Sequence, residues 1–171
     1  DAGDLTFNGN ITLTGYTDST MVLSLSADVI DINGGIIIGT GSSASDNTIS
    51  RSAHTSIDVS GDITLGYADT TGSMSFSAVA PNIHFHGDFV SDTSLQYTHI
   101  SILGQKPDLT YDTNSSITID GDIDITNDDY QYFEMIASPS NGTIVIGTNS
   151  TVGTFDIGDN SSTDAITNLS A

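Results

Sequence analysis

The residues of this sequence best placed to do chemistry are aspartates. Asp120, Asp122 and Asp124 alternate, which puts three carboxylates on one face of an extended strand, with Asp128 and Asp129 close behind. Calcium favours several oxygen ligands at once, so this row is a candidate metal site and calcium a candidate cofactor. The row departs from an EF-hand loop. Ile125 stands where glycine is required, and Gln131 where a bidentate glutamate is expected. The plain alternative is a solvated acidic face. His84 and His86 flank Phe85, so both imidazoles point outward together. That geometry contributes two metal ligands, but no sequence neighbour supplies a third, and a pair of exposed histidines is the plainer reading.

Enzymatic chemistry finds little footing, and the expectation is a protein that is not an enzyme. Asp128 and Asp129 are adjacent and point to opposite faces of a strand. Glycoside hydrolysis instead needs two carboxylates at a set separation across the substrate. Lyase chemistry on acidic sugars calls for a cation nearby, and Arg51 and Lys106 are the only Lys or Arg in the chain. No Ser-His-Asp set or phosphate loop stands out.

Charge narrows the partners. Two basic residues against 22 acids leave a net charge of −20 over 171 residues. Nucleic acid and anionic lipid both depend on Lys and Arg to neutralise phosphate, so neither is an expected partner. No apolar run reaches the length of a membrane-spanning helix, and no membrane insertion is expected. Cysteine is absent, which removes disulfides and zinc-thiolate sites. Glu134 is the only glutamate, and the good helix formers are scarce beside Asp, Asn, Ser, Thr, Gly, Ile and Val. That composition suits strands joined by turns.

The elements that carry these residues repeat. In Ile57-Asp58-Val59-Ser60-Gly61-Asp62-Ile63-Thr64-Leu65 the apolar alternation passes through a Gly-Asp step without losing phase. Versions recur around Gly9, Gly34, Gly87 and Gly121, at intervals of 25, 27, 26 and 34 residues. The longest interval is explained by an inserted loop from Gly104 to Ser116. Three runs ending in alanine, at 23–27, 74–78 and 133–137, follow alternate glycine units and suggest a larger repeat about two units long.

A Gly-Asp step between strands is also a hairpin signal. Register decides against it. In a two-residue hairpin Ser60 would face Ile63, and Val59 would face Thr64, which splits the apolar set across both faces. If the chain bends at the glycine instead, all four apolar residues stay on one side. The fold class is therefore all-β: a parallel β-helix, or β-solenoid, of about six rungs, with an antiparallel β-sandwich as the alternative. Inward ladders follow, such as Ile11, Ile36, Ile63, Phe89 and Ile123. Residues 1–171 read as one solenoid domain or as a segment of a longer repetitive chain. The start at Asp1 carries no signal peptide and suits a processed segment.

Gly-Asn-Ile-Thr-Leu at 9–13, Gly-Asp-Ile-Thr-Leu at 61–65, Gly-Asp-Ile-Asp-Ile at 121–125 and the three alanine-ending runs together resemble the repeats of filamentous-haemagglutinin-type exoproteins. Autotransporter passengers are similar. The resemblance covers Leu5 to Ile157 and implies a secreted β-helical adhesin of a bacterial surface. The expected function is that of a structural or adhesive module at the cell surface or in an extracellular filament. The expected partners are copies of itself or further rungs, and glycans or a host or cell-surface receptor. A carbohydrate-active β-helix of the tailspike or polysaccharide-lyase type is the alternative.

Overall fold

Ile, Val, Leu and Phe alternate with Ser, Thr and Asp through most of the chain, so each strand has one apolar and one polar face. A computed structural model describes residues 3–15, 21–40, 47–66, 73–91, 97–110, 114–125, 130–137, 141–147, 155–157 and 164–170. Among these residues there is no helix, and every strand pairing is parallel. The molecule is a parallel β-solenoid.

Each turn contributes three strands in sequence. The first turn holds β1 (Leu5–Phe7), β2 (Ile11–Gly15) and the start of β3 (Met21–Ile32). The second holds the end of β3, then β4 (Ile36–Thr40) and the start of β5 (Asn47–Val59). The third holds the end of β5, β6 (Ile63–Leu65) and β7 (Ser73–Val79). The fourth is β8 (Asn82–Phe85), β9 (Phe89–Ser91) and β10 (Tyr97–Leu103). The fifth is β11 (Ser116–Ile119), β12 (Ile123–Ile125) and β13 (Tyr130–Ile136). The last is β14 (Thr143–Ile146), β15 (Phe155–Ile157) and β16 (Asp164–Ser170).

The second strands of the turns form a six-stranded sheet, β15-β12-β9-β6-β4-β2. The first and third strands form two further ladders, which β3 and β5 join into one ten-stranded sheet. Those two long strands pass from one turn to the next without a loop. Their mutual register shifts between Ala27 and Val29, a bulge that bends both while they stay paired.

Register places the apolar set inside, as the alternation requires. Ile11, Ile36, Ile63, Phe89 and Ile123 are successive partners in the six-stranded sheet. Phe76, Phe85 and Phe89 interlock at the centre, with ring centroids 5.0–6.2 Å apart. The expected count of about six rungs is refined. Four turns, from Ile30 to Ala137, close over a fully buried core. Leu5, Phe7, Ile11 and Leu13 before them, and Ile144 and Ile146 after them, are only partly buried.

Gly61 lies between β5 and β6, which belong to different sheets, so the Gly-Asp step is a corner and the sandwich alternative falls. Glycine is needed at this corner for space. A Cβ on Gly61 would sit 2.7 Å from the Gly35 nitrogen and 2.9 Å from the Gly34 carbonyl carbon in the turn below. Corner side chains tie adjacent turns together. Asn10 Oδ1 accepts the Gly35 N–H at 2.8 Å, Asp62 Oδ1 accepts the Asp88 N–H at 3.0 Å, and Asp88 Oδ1 accepts the Asp122 N–H at 2.9 Å.

The two-unit repeat is corrected. Ile49-Ser50-Arg51-Ser52-Ala53 in β5 and Ile100-Ser101-Ile102 in β10 occupy the same ladder as the three alanine-ending runs, in the turns between them. The repeat is one turn. Arg51 disguised the pattern, because it fills an inward slot between Leu25 and Ala78 that otherwise takes an apolar residue. It is fully buried, with its guanidinium 4.1 Å from the centroid of the Phe76 ring.

Candidate metal centre

The outward face of the first-strand ladder carries the most concentrated chemistry in the described residues. Stacking places Asp31, Asp58, His84 and Thr118 opposite one another across four successive turns. The next outward position along each strand is two residues on, which brings Ser60, His86 and Asp120 into a neighbouring row. Asp58 and Asp120 thus lie on opposite sides of the His84–His86 pair, one turn before it and one turn after.

The two imidazoles stack with ring centroids 3.7 Å apart and an interplanar angle of 35°. Each ring spans both carboxylates. His84 Nε2 is 2.9 Å from Asp120 Oδ2, and its Nδ1 is 4.0 Å from Asp58 Oδ2. His86 Nδ1 is 3.2 Å from Asp120 Oδ2, and its Nε2 is 3.2 Å from Asp58 Oδ2. Asp120 is the best covered, at 19 % side-chain exposure, while Asp58, His84 and His86 are each 38–40 % exposed. The ligand atoms of Asp58, His84 and His86 all lie within 4.8 Å of one another, close enough to share one ion.

The residues singled out from sequence are distributed differently from the row expected. Gly121 is a corner, so Asp120 directly follows the first strand of its turn and Asp124 belongs to the second strand, in the other sheet. Asp122 sits in the corner itself, held through its N–H by Asp88. Asp124 is exposed and pairs in register with Val90 and Asp156. Asp120, Asp122 and Asp124 are therefore not gathered as a ligand set, and only Asp120 joins the histidine cluster. Asp128 and Asp129 lie outside the described residues. Asp58 was missed because its partners are 26 and 28 residues away in sequence. The usable signal was the recurrence of an outward polar residue just before each glycine corner.

A second feature lies around the corner. A groove of about 370 Å³ is lined by residues including Asn10, Asn33, Ile37, Ser60, Asp62 and Thr64. It follows the stacked corners of the first three turns, where Gly34, Gly35 and Gly61 carry no side chain. Elsewhere on the surface His54 Nδ1 is 3.6 Å from Asp28 Oδ1, and the His99 ring meets the edge or face of Tyr132 at 4.7 Å.

Compared with family models, with curated proteins and with solved structures, the chain finds no match in any of the three.

Proposed function

We propose that the chain is a structural and adhesive module of an extracellular surface or filament protein: a stiff acidic β-rod that associates with copies of itself or displays binding loops. One observation supports this reading above the others. Three parallel ladders run through the described turns, broken in register only by the bulge between Ala27 and Val29, around a core built from stacked Ile and Phe. Such a stack advances about 4.8 Å per turn, and its cross-section repeats, so the same pairing accepts a further turn or a second copy. The repeat's resemblance to filamentous-haemagglutinin-type exoproteins points the same way. The net charge of −20 keeps such rods soluble and leaves phosphate-rich partners aside.

The link between β10 and β11 supplies a displayed loop. Lys106 to Thr110 closes on itself through Lys106 N–H to the Thr110 carbonyl at 2.8 Å and Leu109 N–H to the Lys106 carbonyl at 2.9 Å. Leu109 at its tip is 70 % exposed and takes a φ of 66°. Light scattering over a concentration series, with negative-stain microscopy, tests the rod. Concentration-dependent rods or filaments, or retention on cell-surface glycans or receptors that deletion of 106–110 abolishes, are the expected results. A strict monomer that binds neither refutes it.

The corner groove favours a second reading, a carbohydrate-handling solenoid, because its Asn, Ser, Asp and Thr side chains match sugar hydroxyls. Release of reducing ends or unsaturated sugars from acidic polysaccharides would establish it in place of the first.

A further inference from the structure

We propose that Asp58, His84 and His86 form a binding site for a divalent transition ion of the zinc class, with Asp120 as the carboxylate that orients both imidazoles. The case begins with proton counting. A neutral imidazole carries one N–H, and here each ring offers both nitrogens to carboxylates. His84 gives its N–H to Asp120 across 2.9 Å, which leaves the Nδ1 lone pair facing Asp58 Oδ2. His86 lies between two carboxylates: with its proton on Nε2 it hydrogen-bonds Asp58 Oδ2 at 3.2 Å, and with its proton on Nδ1, 3.2 Å from Asp120 Oδ2, the Nε2 lone pair faces Asp58 instead. In that second tautomer Asp58 Oδ2, His84 Nδ1 and His86 Nε2 form a set of three acceptors within 4.8 Å of one another. A divalent ion between Asp58 Oδ2, His84 Nδ1 and His86 Nε2 satisfies all three acceptors at once.

The dimensions suit that ion. Tetrahedral zinc with bonds of about 2.0–2.1 Å separates its ligand atoms by about 3.3–3.4 Å. The distance from Asp58 Oδ2 to His86 Nε2 is 3.2 Å, and the 4.0 Å to His84 Nδ1 needs a contraction of only about 0.7 Å by a half-exposed ring. Asp120 Oδ2, within 3.2 Å of the remaining nitrogen of each ring, holds both imidazoles in the tautomer that ligates. Two imidazole nitrogens and one carboxylate suit zinc, cobalt or nickel, whereas calcium wants an oxygen shell. Asp31, directly opposite Asp58 in the preceding turn, adds negative charge beside the site. With three protein ligands the fourth position opens to solvent. The ion would bind the third turn to the fourth, and Asp120 would carry that brace into the fifth.

The experiment uses the full chain after chelator treatment, titrated with zinc chloride by calorimetry and with cobalt chloride by visible absorption. One ion per chain is expected, with the intense visible bands of tetrahedral cobalt. A rise in Tm of about 5–10 °C is expected at a hundredfold excess over Kd. His84→Ala and His86→Ala should each weaken binding at least a hundredfold, while Asp120→Asn should weaken it about 10- to 100-fold and keep the stoichiometry. His54→Ala should leave binding unchanged. Nitrogen NMR of the unsubstituted protein should show the zinc-induced shift at His84 Nδ1 and His86 Nε2, a readout independent of how any variant folds. Equal binding by the histidine variants, shifts confined to other histidines, no saturable binding, or displacement of zinc by equimolar calcium would each overturn the proposal.

Discussion

Replacing Arg51 with methionine is expected to stabilise the protein. Arg51 is fully buried, and its Nε and both terminal nitrogens make no hydrogen bond to any described residue. Burial pushes its pKa down to about 9, well below the usual guanidinium range. A base whose folded-state value is lowered is penalised in its charged form. Between about 9 and the ordinary guanidinium value the unfolded chain binds more protons, so stability rises with pH across that window. Below about 9 the whole penalty is present. At about 1.4 kcal/mol per pH unit it comes to roughly 5 kcal/mol. The face of Phe76, 4.1 Å from the guanidinium carbon, returns about 2 kcal/mol as a desolvated cation–π contact. Methionine keeps an unbranched apolar stem in the same slot and removes the charge. The net gain is about 3 kcal/mol, which at about 2–4 °C per kcal/mol for a chain of this size raises Tm by about 6–12 °C. Urea denaturation and calorimetry at neutral pH measure it. Repeating them above pH 9 should shrink the difference between the two proteins. An Arg51→Met protein less stable than the original at neutral pH would refute the reasoning, because the guanidinium would then be held by a counter-ion stronger than its desolvation.

Phe76→Leu should destabilise the original protein by about 1–2 kcal/mol more than it destabilises the Arg51→Met protein, since only the original loses the cation–π contact; a double-mutant cycle in urea reads this coupling. Gly61→Ala should cost about 1–3 kcal/mol, because the new Cβ meets backbone atoms of Gly34 and Gly35 at 2.7–3.0 Å, and Gly61→Val more. Asp62→Ala removes only the acceptor of the Asp88 N–H and should cost about 0.5–1.5 kcal/mol; matching losses at 61 and 62 in urea denaturation would contradict the close-packed corner. Asp108 is held below the usual aspartate range, first by the Thr110 hydroxyl and then by the Thr110 N–H. The stability this contributes is present above the ordinary aspartate value and is lost as pH falls through the lowered one. Carboxyl NMR should show Asp108 titrating below the other exposed aspartates, and Thr110→Val should move it back up.

Much of the architecture is local information. Alternation that keeps phase through Gly61 admits a corner and rejects a two-residue hairpin, because a hairpin would turn half of the apolar residues outward. The same parity put His84 and His86 outward around Phe85. Strand direction followed from that reasoning, but sheet membership did not: the alternation of Asp120, Asp122 and Asp124 reads as one strand face, whereas a corner divides it between two sheets. The steric reason for the glycine did not, since it lies in the backbone of the next turn.

By itself, then, the sequence determined the phase of each strand, the corners and the inward ladders, all of which depend on residues a few places apart. Tertiary structure alone decided what meets between turns. Asp58 reaches His86 across 28 residues, and His84 reaches Asp120 across 36. Contacts between turns depend on how many residues each turn spends in its loops, and the 34-residue step before Gly121 differs from the 26 before Gly87. A two-residue change in effective loop length would slide Asp120 to the next outward position and away from the histidines. Arg51 teaches the same lesson from inside. Its charge reads as surface in a local window, yet the parity of its strand and the closure of the turns above and below carry it into the core.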